Sequence, residues 1–329
     1  MSKSPGRILI IRFSSLGDVL LTTPIIRALK TKYPDTKIDF LVREEYADAV
    51  KLNPYLNFVY VLSRSEKMNL LIKIIMENNY DFIIDLQNNL RSRTLRTKLN
   101  TVSYSYSKPT FEKFLLVRFK INLLKQFKSI PQRYSEALPG LMLDDKGLEL
   151  FLPQSTGSKL IGANKYIGLI PGSKHFSKRW PPEYFIELGN KLLLHDFVPV
   201  ILGGRDDKEL CESISSGISS SINLGNDNNL FQTASDMKLC TVIVSNDSGL
   251  MHTAVAVGTP VIAIFGSSVK DFGFVPYGAK NLILENNSLS CRPCSHIGRN
   301  SCPQRHFKCM REITPQYVLD STLKFISGL

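Results

Sequence analysis

No stretch of the sequence approaches the ~18 to 20 uninterrupted apolar residues that a membrane-spanning helix requires, so a transmembrane segment is not expected. The opening Met-Ser-Lys-Ser-Pro-Gly-Arg lacks the apolar core of a secretory signal and leads straight into a strand pattern, and the expectation is a soluble, cytoplasmic protein. No Gly-x-Gly-x-x-Gly follows the first strand of either half, which argues against a nicotinamide dehydrogenase. Helix-turn-helix, RNA-binding aromatic and zinc-finger signatures are also missing, so nucleic acid is not the expected partner despite the basic charge. Internal repeats and low-complexity tracts are absent. Acidic residues are the scarce charge: 29 Asp and Glu stand against 41 Lys and Arg, for a net charge of +12. The excess lies early, with 24 cations against 15 acids in residues 1–153 and 17 against 14 thereafter. From Arg91 to Arg133 the only acid among eleven cations is Glu112, which implies an anionic partner for that stretch.

What is present alternates between short apolar runs and helical patterns. Arg7–Phe13, Lys37–Val42, Phe58–Leu62 and Asp81–Asp85 read as strands, with Val19–Tyr33 a helical stretch. The pattern then restarts with Lys165–Ile170, Val198–Leu202, Ser221–Leu224, Cys240–Val244 and Val261–Phe265, and with a helix over Pro182–Leu194. Buried parallel strands read as continuous apolar runs, so the fold class is α/β, with two Rossmann-like domains facing a central cleft. The seam falls in the linker-like Pro153–Asn164, giving domains at 1–155 and 156–329, with the last helix a candidate to return to the first domain.

The most informative segment is Val242–Gly266, in which a strand ends in Asn246-Asp-Ser-Gly249, a helix follows, and a second strand returns. Backbone N–H groups at Ser248 and Gly249, set at a positive helix end with His252 one turn along, suit a phosphate. Asp18, where strand one hands over to helix one, reads from spacing either as a helix cap or as a carboxylate in a ligand-facing loop. Ser14, Ser15 and Gly17 form a small-residue loop that admits close approach, or a plain tight turn. Lys178 and Arg179 lie between a strand and a helix, where they read equally as surface cations or as partners for a diphosphate. Cys291, Cys294, Cys302 and Cys309, near His296 and His306, have spacing that raises a structural zinc site before disulfides, while Cys211 and Cys240 read as buried thiols.

Seven motifs in order resemble one known family, the ADP-heptose:lipopolysaccharide heptosyltransferases, over nearly the whole chain. They are Ile11–Leu20 with Pro24; Asp85-Leu-Gln87 with Arg91-Ser92; Pro171-Gly-Ser173 with Lys178-Arg-Trp-Pro181; Gly203-Gly204; Asn246-Asp-Ser-Gly249 with His252; Gly258-Thr-Pro260; and Cys291-Arg-Pro-Cys294. The resemblance implies a GT-B fold and an inverting transfer of heptose from ADP-heptose to the lipopolysaccharide inner core, with Kdo-lipid A or heptosyl-Kdo-lipid A as acceptor. A GT-B relative using another nucleotide-sugar for a surface glycan is the alternative. By the same resemblance Asp18 is the base and Lys178 stabilises the leaving diphosphate. Ser173, Asp207, Asp247, Ser248, Gly249 and His252 bind donor, with Asp206 and Glu209 as substitutes for Asp207. Ser14, Ser15, Gly17 and Arg91 face the acceptor. With no Asp-x-Asp in the chain, no cofactor or divalent metal is expected in catalysis. A lipid-linked acceptor implies work at the inner face of the cytoplasmic membrane, as a peripheral protein on an anionic surface. Residues 111–130 bear on this, because a helical wheel puts Leu116, Phe119, Leu123 and Phe127 on one core stripe and mixes apolar residues with Lys113, Arg118, Lys120, Lys125 and Lys128 opposite. The same segment also reads as a helix buried on two sides whose lysines snorkel.

Overall fold

The computed structural model describes residues 4–63, 68–124, 128–162 and 165–329. The chain divides into two compact units: Met1–Pro109 with Lys128–Phe151, and Thr110–Phe127 with Leu152–Leu329.

The first unit holds a parallel sheet of β1 (Arg7–Ile11), β2 (Lys37–Arg43), β3 (Phe58–Leu62), β4 (Phe82–Asp85) and β5 (Ser103–Ser105) in the order β3-β2-β1-β4-β5. The central strand is apolar because both faces are covered, and Ile8, Leu9, Ile10 and Ile11 are fully buried. It pairs with β2 on one side, Arg7 opposite Lys37, and with β4 on the other, Ile8 opposite Phe82. The strand order therefore reverses at β1 and β4. The loops leaving their carboxyl ends are Phe13–Ser15 and Leu86–Asn89, and in open α/β sheets that crevice is where ligands bind.

Two expected elements of this unit differ. The strand stops at Ile11 and not at Phe13: the Arg12 N–H still reaches the Leu41 carbonyl (3.1 Å), but Gln87 takes the N–H groups of Phe13 and Ser14. The helical stretch Val19–Tyr33 is two helices, Leu16–Leu20 and Thr23–Lys32. Pro24 sits in the first turn of the second, where its missing N–H costs nothing. The Thr22 and Thr23 hydroxyls donate to the carbonyls of Val19 (2.6 Å) and Leu20 (2.8 Å), satisfying the end of the first helix.

The second unit repeats the plan with β6 (Tyr166–Ile170), β7 (Val198–Ile201), β8 (Ile222–Asn223), β9 (Cys240–Asn246), β10 (Val261–Phe265) and β11 (Asn281–Glu285). All pair in parallel, in the order β11-β10-β9-β6-β7-β8, the doubly wound arrangement of six strands. Its switch point lies between β6 and β9, so Pro171–Ser173 and Asp247–Gly249 leave the sheet side by side. One core cluster runs from Ile167 and Leu169 through Trp180, Phe185 and Leu188 to Val318 and Leu319. The terminal helix Pro315–Ser327 contributes the last two and packs on Pro182–Leu193 of the same unit. Among the described residues no helix is long and apolar enough to cross a membrane.

Residues 111–130 do not form the single helix of the sequence reading. The helix is Thr110–Phe119, and Lys120 leaves it with φ 61°, in the left-handed region. The break removes Leu123 from the wheel. Leu116 is buried against Leu124 and Phe272, whereas Phe119 and Leu123, expected in the core, are exposed. Lys125 and Phe127 lie outside the described residues.

Candidate active site

Asp18 is the third residue of the helix Leu16–Leu20, and its carboxylate is heavily engaged. Oδ2 accepts from the Ser15 backbone N–H (3.1 Å) and hydroxyl (2.8 Å), the return half of a capping box. Oδ1 pairs with Nη2 of Arg12 at 2.5 Å. The side chain keeps 19 % exposure while Arg12 keeps 7 %, so the carboxylate reaches solvent across a buried counter-ion.

Arg12 is a site residue that sequence reasoning missed. Its Nη1 donates to the Leu86 carbonyl at 2.5 Å, its Nε to the Ser14 carbonyl at 3.0 Å, and its guanidinium lies 5.7 Å from the centre of the Tyr134 ring. Burial alone would lower its pKa, but Asp18 and Tyr134 outweigh burial and raise it. Arg12 is thus a fixed cation tying the β1 loop, the β4 loop and Asp18 together. Gln87 adds to this by accepting the N–H groups of Phe13 (2.9 Å) and Ser14 (3.2 Å), while Asp85 accepts those of Gln87 and Asn88 and pairs with Arg96 at 3.0 Å. The Asp85-Leu-Gln87 motif therefore holds the Asp18 loop in place.

Other cations share this end of the sheet. Lys108 donates to the Asn88 carbonyl (3.2 Å), and burial, followed by Arg12, lowers its pKa against the opposing pull of Asp18. Arg133 is buried beside Tyr106. Of the three arginines after Gln87, Arg91 is exposed in the first turn of Leu90–Leu99, Arg93 bonds Asn88, and Arg96 is committed to Asp85.

In the second unit the switch point assembles most of the predicted donor residues. Asn246 joins two loops, accepting from the Trp180 N–H (3.0 Å) and donating to the Pro171 carbonyl (2.7 Å). Next to it, the buried Asp247 takes Nζ of Lys178 at 2.7 Å and the Ser268 hydroxyl at 2.7 Å on Oδ2. Burial pushes the Asp247 carboxyl upward, but Lys178, Ser268 and His252 prevail and hold it below the ordinary carboxylate range. The Ser173 hydroxyl donates to the Asp247 carbonyl (3.3 Å), and Arg179 clamps the Ser173 carbonyl (2.6 Å). Ser248 caps the helix Gly249–Ala256 by accepting from the Met251 N–H, and His252 is buried one turn on. The combination of Lys178, a helix N-terminus and hydroxyls is suited to a diphosphate.

Among the acids after Gly204, Asp206 and Glu209 are exposed and Asp207 is half-buried against Gly172. A Cβ at Gly172 would lie 2.2 Å from Oδ2 of Asp207, so only glycine allows this contact. Burial raises the Asp207 pKa against the pull of Arg179. Trp180 is core, donating Nε1–H to the Ile313 carbonyl (2.8 Å), and Met237 is core as well.

Two further residues escaped sequence reasoning. Ser268 orients Asp247, and the buried Arg292 donates to the carbonyls of Phe265, Gly266, Ser268 and Asn286 while pairing with Glu285 at 2.9 Å. The Arg292 segment is sewn to the Lys178 loop through Ser177, which exchanges backbone and side-chain bonds with Arg299 at 3.0 and 2.8 Å. The surrounding cysteines are free thiols. Among the described residues no group of three or more His, Cys, Asp and Glu side chains is disposed to hold a metal ion. Cys291 instead meets Nε2 of His306 at 3.9 Å, and burial pushes the Cys309 thiol up to about 12. Cys211 and Cys240 are buried thiols, each also pushed up to about 12 by burial.

Residues 68–303 match Glycosyltransferase family 9 (heptosyltransferase). The chain belongs to glycosyltransferase family 9, the heptosyltransferases. Its similarity to lipopolysaccharide heptosyltransferase 2 of Salmonella typhimurium is 25 % identity over 98 % of this chain and 99 % of that one. A family 9 glycosyl transferase from Veillonella parvula shares the fold with TM-score 0.80 at 22 % identity, covering 98 % of each chain. The E. coli ADP-heptose heptosyltransferase II does so with TM-score 0.75 at 21 % identity, over 98 % of this chain and 99 % of that one. The two parallel sheets are those of the GT-B heptosyltransferases, and this member of family 9 is a glycosyltransferase.

Proposed function

We propose that this heptosyltransferase moves a heptose from ADP-heptose, with inversion, onto the inner core of lipopolysaccharide. The observation that carries the reading is the chemistry at the two switch points: a solvent-reaching carboxylate in one unit, and a cation, hydroxyls and a helix N-terminus in the other. Names of relatives point the same way, one being a lipopolysaccharide enzyme and another an ADP-heptose enzyme.

In this mechanism Asp18 accepts the proton of the acceptor hydroxyl as that oxygen bonds to the anomeric carbon. The bond from that carbon to the diphosphate oxygen breaks, and ADP leaves with the electron pair. Arg12 and Ser15 orient the Asp18 carboxylate for this step. Lys178 has three N–H donors and spends one on Asp247, leaving others for the charge that grows on the departing diphosphate. Ser173, Asp247, Ser248, Gly249 and His252 complete the phosphate and sugar contacts, and Asp207 takes the ribose hydroxyls. Ser14, Ser15, Gly17 and Arg91 meet the acidic acceptor, for which the cations Lys108 and Arg133 supply further positive field. The reaction uses no divalent metal. An acceptor carried on lipid A places the enzyme at the inner face of the cytoplasmic membrane.

Calorimetry in EDTA with ADP, UDP and GDP tests the donor assignment. Selective binding of ADP supports it. Preference for UDP or GDP refutes ADP-heptose and leaves a family member with a different nucleotide-sugar.

A further inference from the structure

The segment Thr110–Leu124 pins its backbone in place while displaying apolar side chains. Lys120 ends the helix and its Nζ donates to the carbonyls of Val117 (3.0 Å), Cys291 (3.1 Å) and Pro293 (2.7 Å). Two residues on, the Asn122 amide donates to Asp271 at 3.0 Å, and Leu124 is buried with Leu116 and Phe272. These anchors fix the backbone, and five of its large apolar side chains stay exposed. Phe111 is 66 % exposed, Phe114 54 %, Phe119 57 %, Ile121 50 % and Leu123 57 %. Phe111, Phe114 and Arg118 recur at helical spacing along one face, and the Phe114 and Phe119 rings meet edge to face at 5.9 Å. Five such side chains within thirteen residues are far more than the scattered exposure of an ordinary surface.

Cations predominate around them. Lys113, Arg118 and Lys120 outnumber Glu112 within the segment, Asp271 is the acid packed beside it, and Arg118 is exposed on the same face as the phenylalanines. We propose that this face docks on an anionic phospholipid bilayer, with Phe111, Phe114, Phe119, Ile121 and Leu123 entering the headgroup boundary and Arg118 meeting lipid phosphates. The proposal deepens the lipid-linked acceptor reading above and supplies the surface that would bring the enzyme to it. Aromatic and aliphatic side chains flanked by cations are the composition that binds such interfaces. A second copy of the chain fits less well, because a two-fold contact through this face would bring like cations together.

The test is co-flotation of the full chain with phosphatidylcholine vesicles, with and without phosphatidylglycerol. The parent protein should bind the anionic vesicles, and less so as salt rises. Replacing Phe111, Phe114 and Phe119 with serine should weaken binding by about tenfold or more, since affinity scales with the apolar area inserted. Arg118→Gln should weaken it about fivefold, the equivalent of ~1 kcal/mol for one near-surface cation. All these side chains are exposed, so folding should be kept, and Leu123→Ser alone gives a second, milder variant. Turnover on a water-soluble, deacylated acceptor should be unchanged in every variant. Vesicle binding that is absent in the parent, or equal in parent and triple variant, overturns the proposal. Loss of a lipid-independent dimer in the triple variant overturns it in favour of self-association. Vesicle binding without heptosyl transfer would sink the functional reading and leave the docking face standing.

Discussion

Replacing Lys178 with methionine isolates the pair that anchors the donor-side loops. Lys178 and Asp247 are 15 % and 9 % exposed and 2.7 Å apart, so the substitution leaves a buried carboxylate with the Ser268 hydroxyl and nearby His252 but without its ion-pair partner. Breaking a buried pair from one side costs about 3 to 5 kcal/mol, and the residual exposure of Lys178 puts this case near 3. For a folding unit of this size that is a fall in Tm of roughly 6 to 12 °C. The paired variant Lys178→Met with Asp247→Asn removes both charges and should recover about 2 kcal/mol of the loss. Trp180 is the sole tryptophan, is buried, and lies two residues from Lys178, so its fluorescence during urea unfolding reports this unit directly. The pH dependence has a definite sign. The Asp247 carboxyl is held below its ordinary value, so the pair's stabilisation is present above the ordinary carboxylate range and is lost as pH falls through the depressed native value. In Lys178→Met that contribution should already be missing at neutral pH. A single variant within about 0.5 kcal/mol of the parent, or a double variant no better than the single, would refute the buried-pair reasoning.

Three further outcomes follow from the same geometry. Asp18→Asn should lower turnover on the order of 100-fold or more while ADP affinity stays unchanged, and near-parental turnover would remove Asp18 as the base. Ser268→Ala should cost about 2 kcal/mol in the Trp180 unfolding assay, because it deletes a charge-assisted bond to Asp247, and it should shift the acid loss of stability to higher pH. Gly172→Ala must displace Asp207, whose Oδ2 would lie 2.2 Å from the new Cβ; calorimetry should then show weakened ADP binding, and unaltered affinity would dissociate Asp207 from the nucleotide.

Much of the architecture was legible because buried parallel strands are written as apolar runs. Ile8–Ile11, Val242–Val244 and Val261–Phe265 could hardly be anything else. The same rule hides β5, which is three residues long and too short to show a period, whereas the two-residue β8 was marked by the Ser221–Leu224 run. The switch-point residues were found through motifs, and their neighbours in sequence were found with them. Arg12 and Arg292 lie inside quoted motifs but were given no role, and Ser268 lies outside them, since their roles are contacts across the fold: Arg12 reaches Leu86, and Ser268 reaches Asp247. A strand-end arginine carries no local sign of what it will meet. The helical wheel over residues 111–130 misled because it assumed an unbroken helix, and nothing in the sequence announces that Lys120 adopts a positive φ.

The most direct test of the central claim is transfer itself: purified enzyme, ADP-heptose and a Kdo-lipid A acceptor in EDTA, with the acceptor followed by mass spectrometry. The account predicts that the acceptor gains one heptose, that one ADP is released for each heptose transferred, and that Asp18→Asn slows both on the order of 100-fold or more. Release of ADP without a mass gain, or transfer that Asp18→Asn leaves intact, would contradict it.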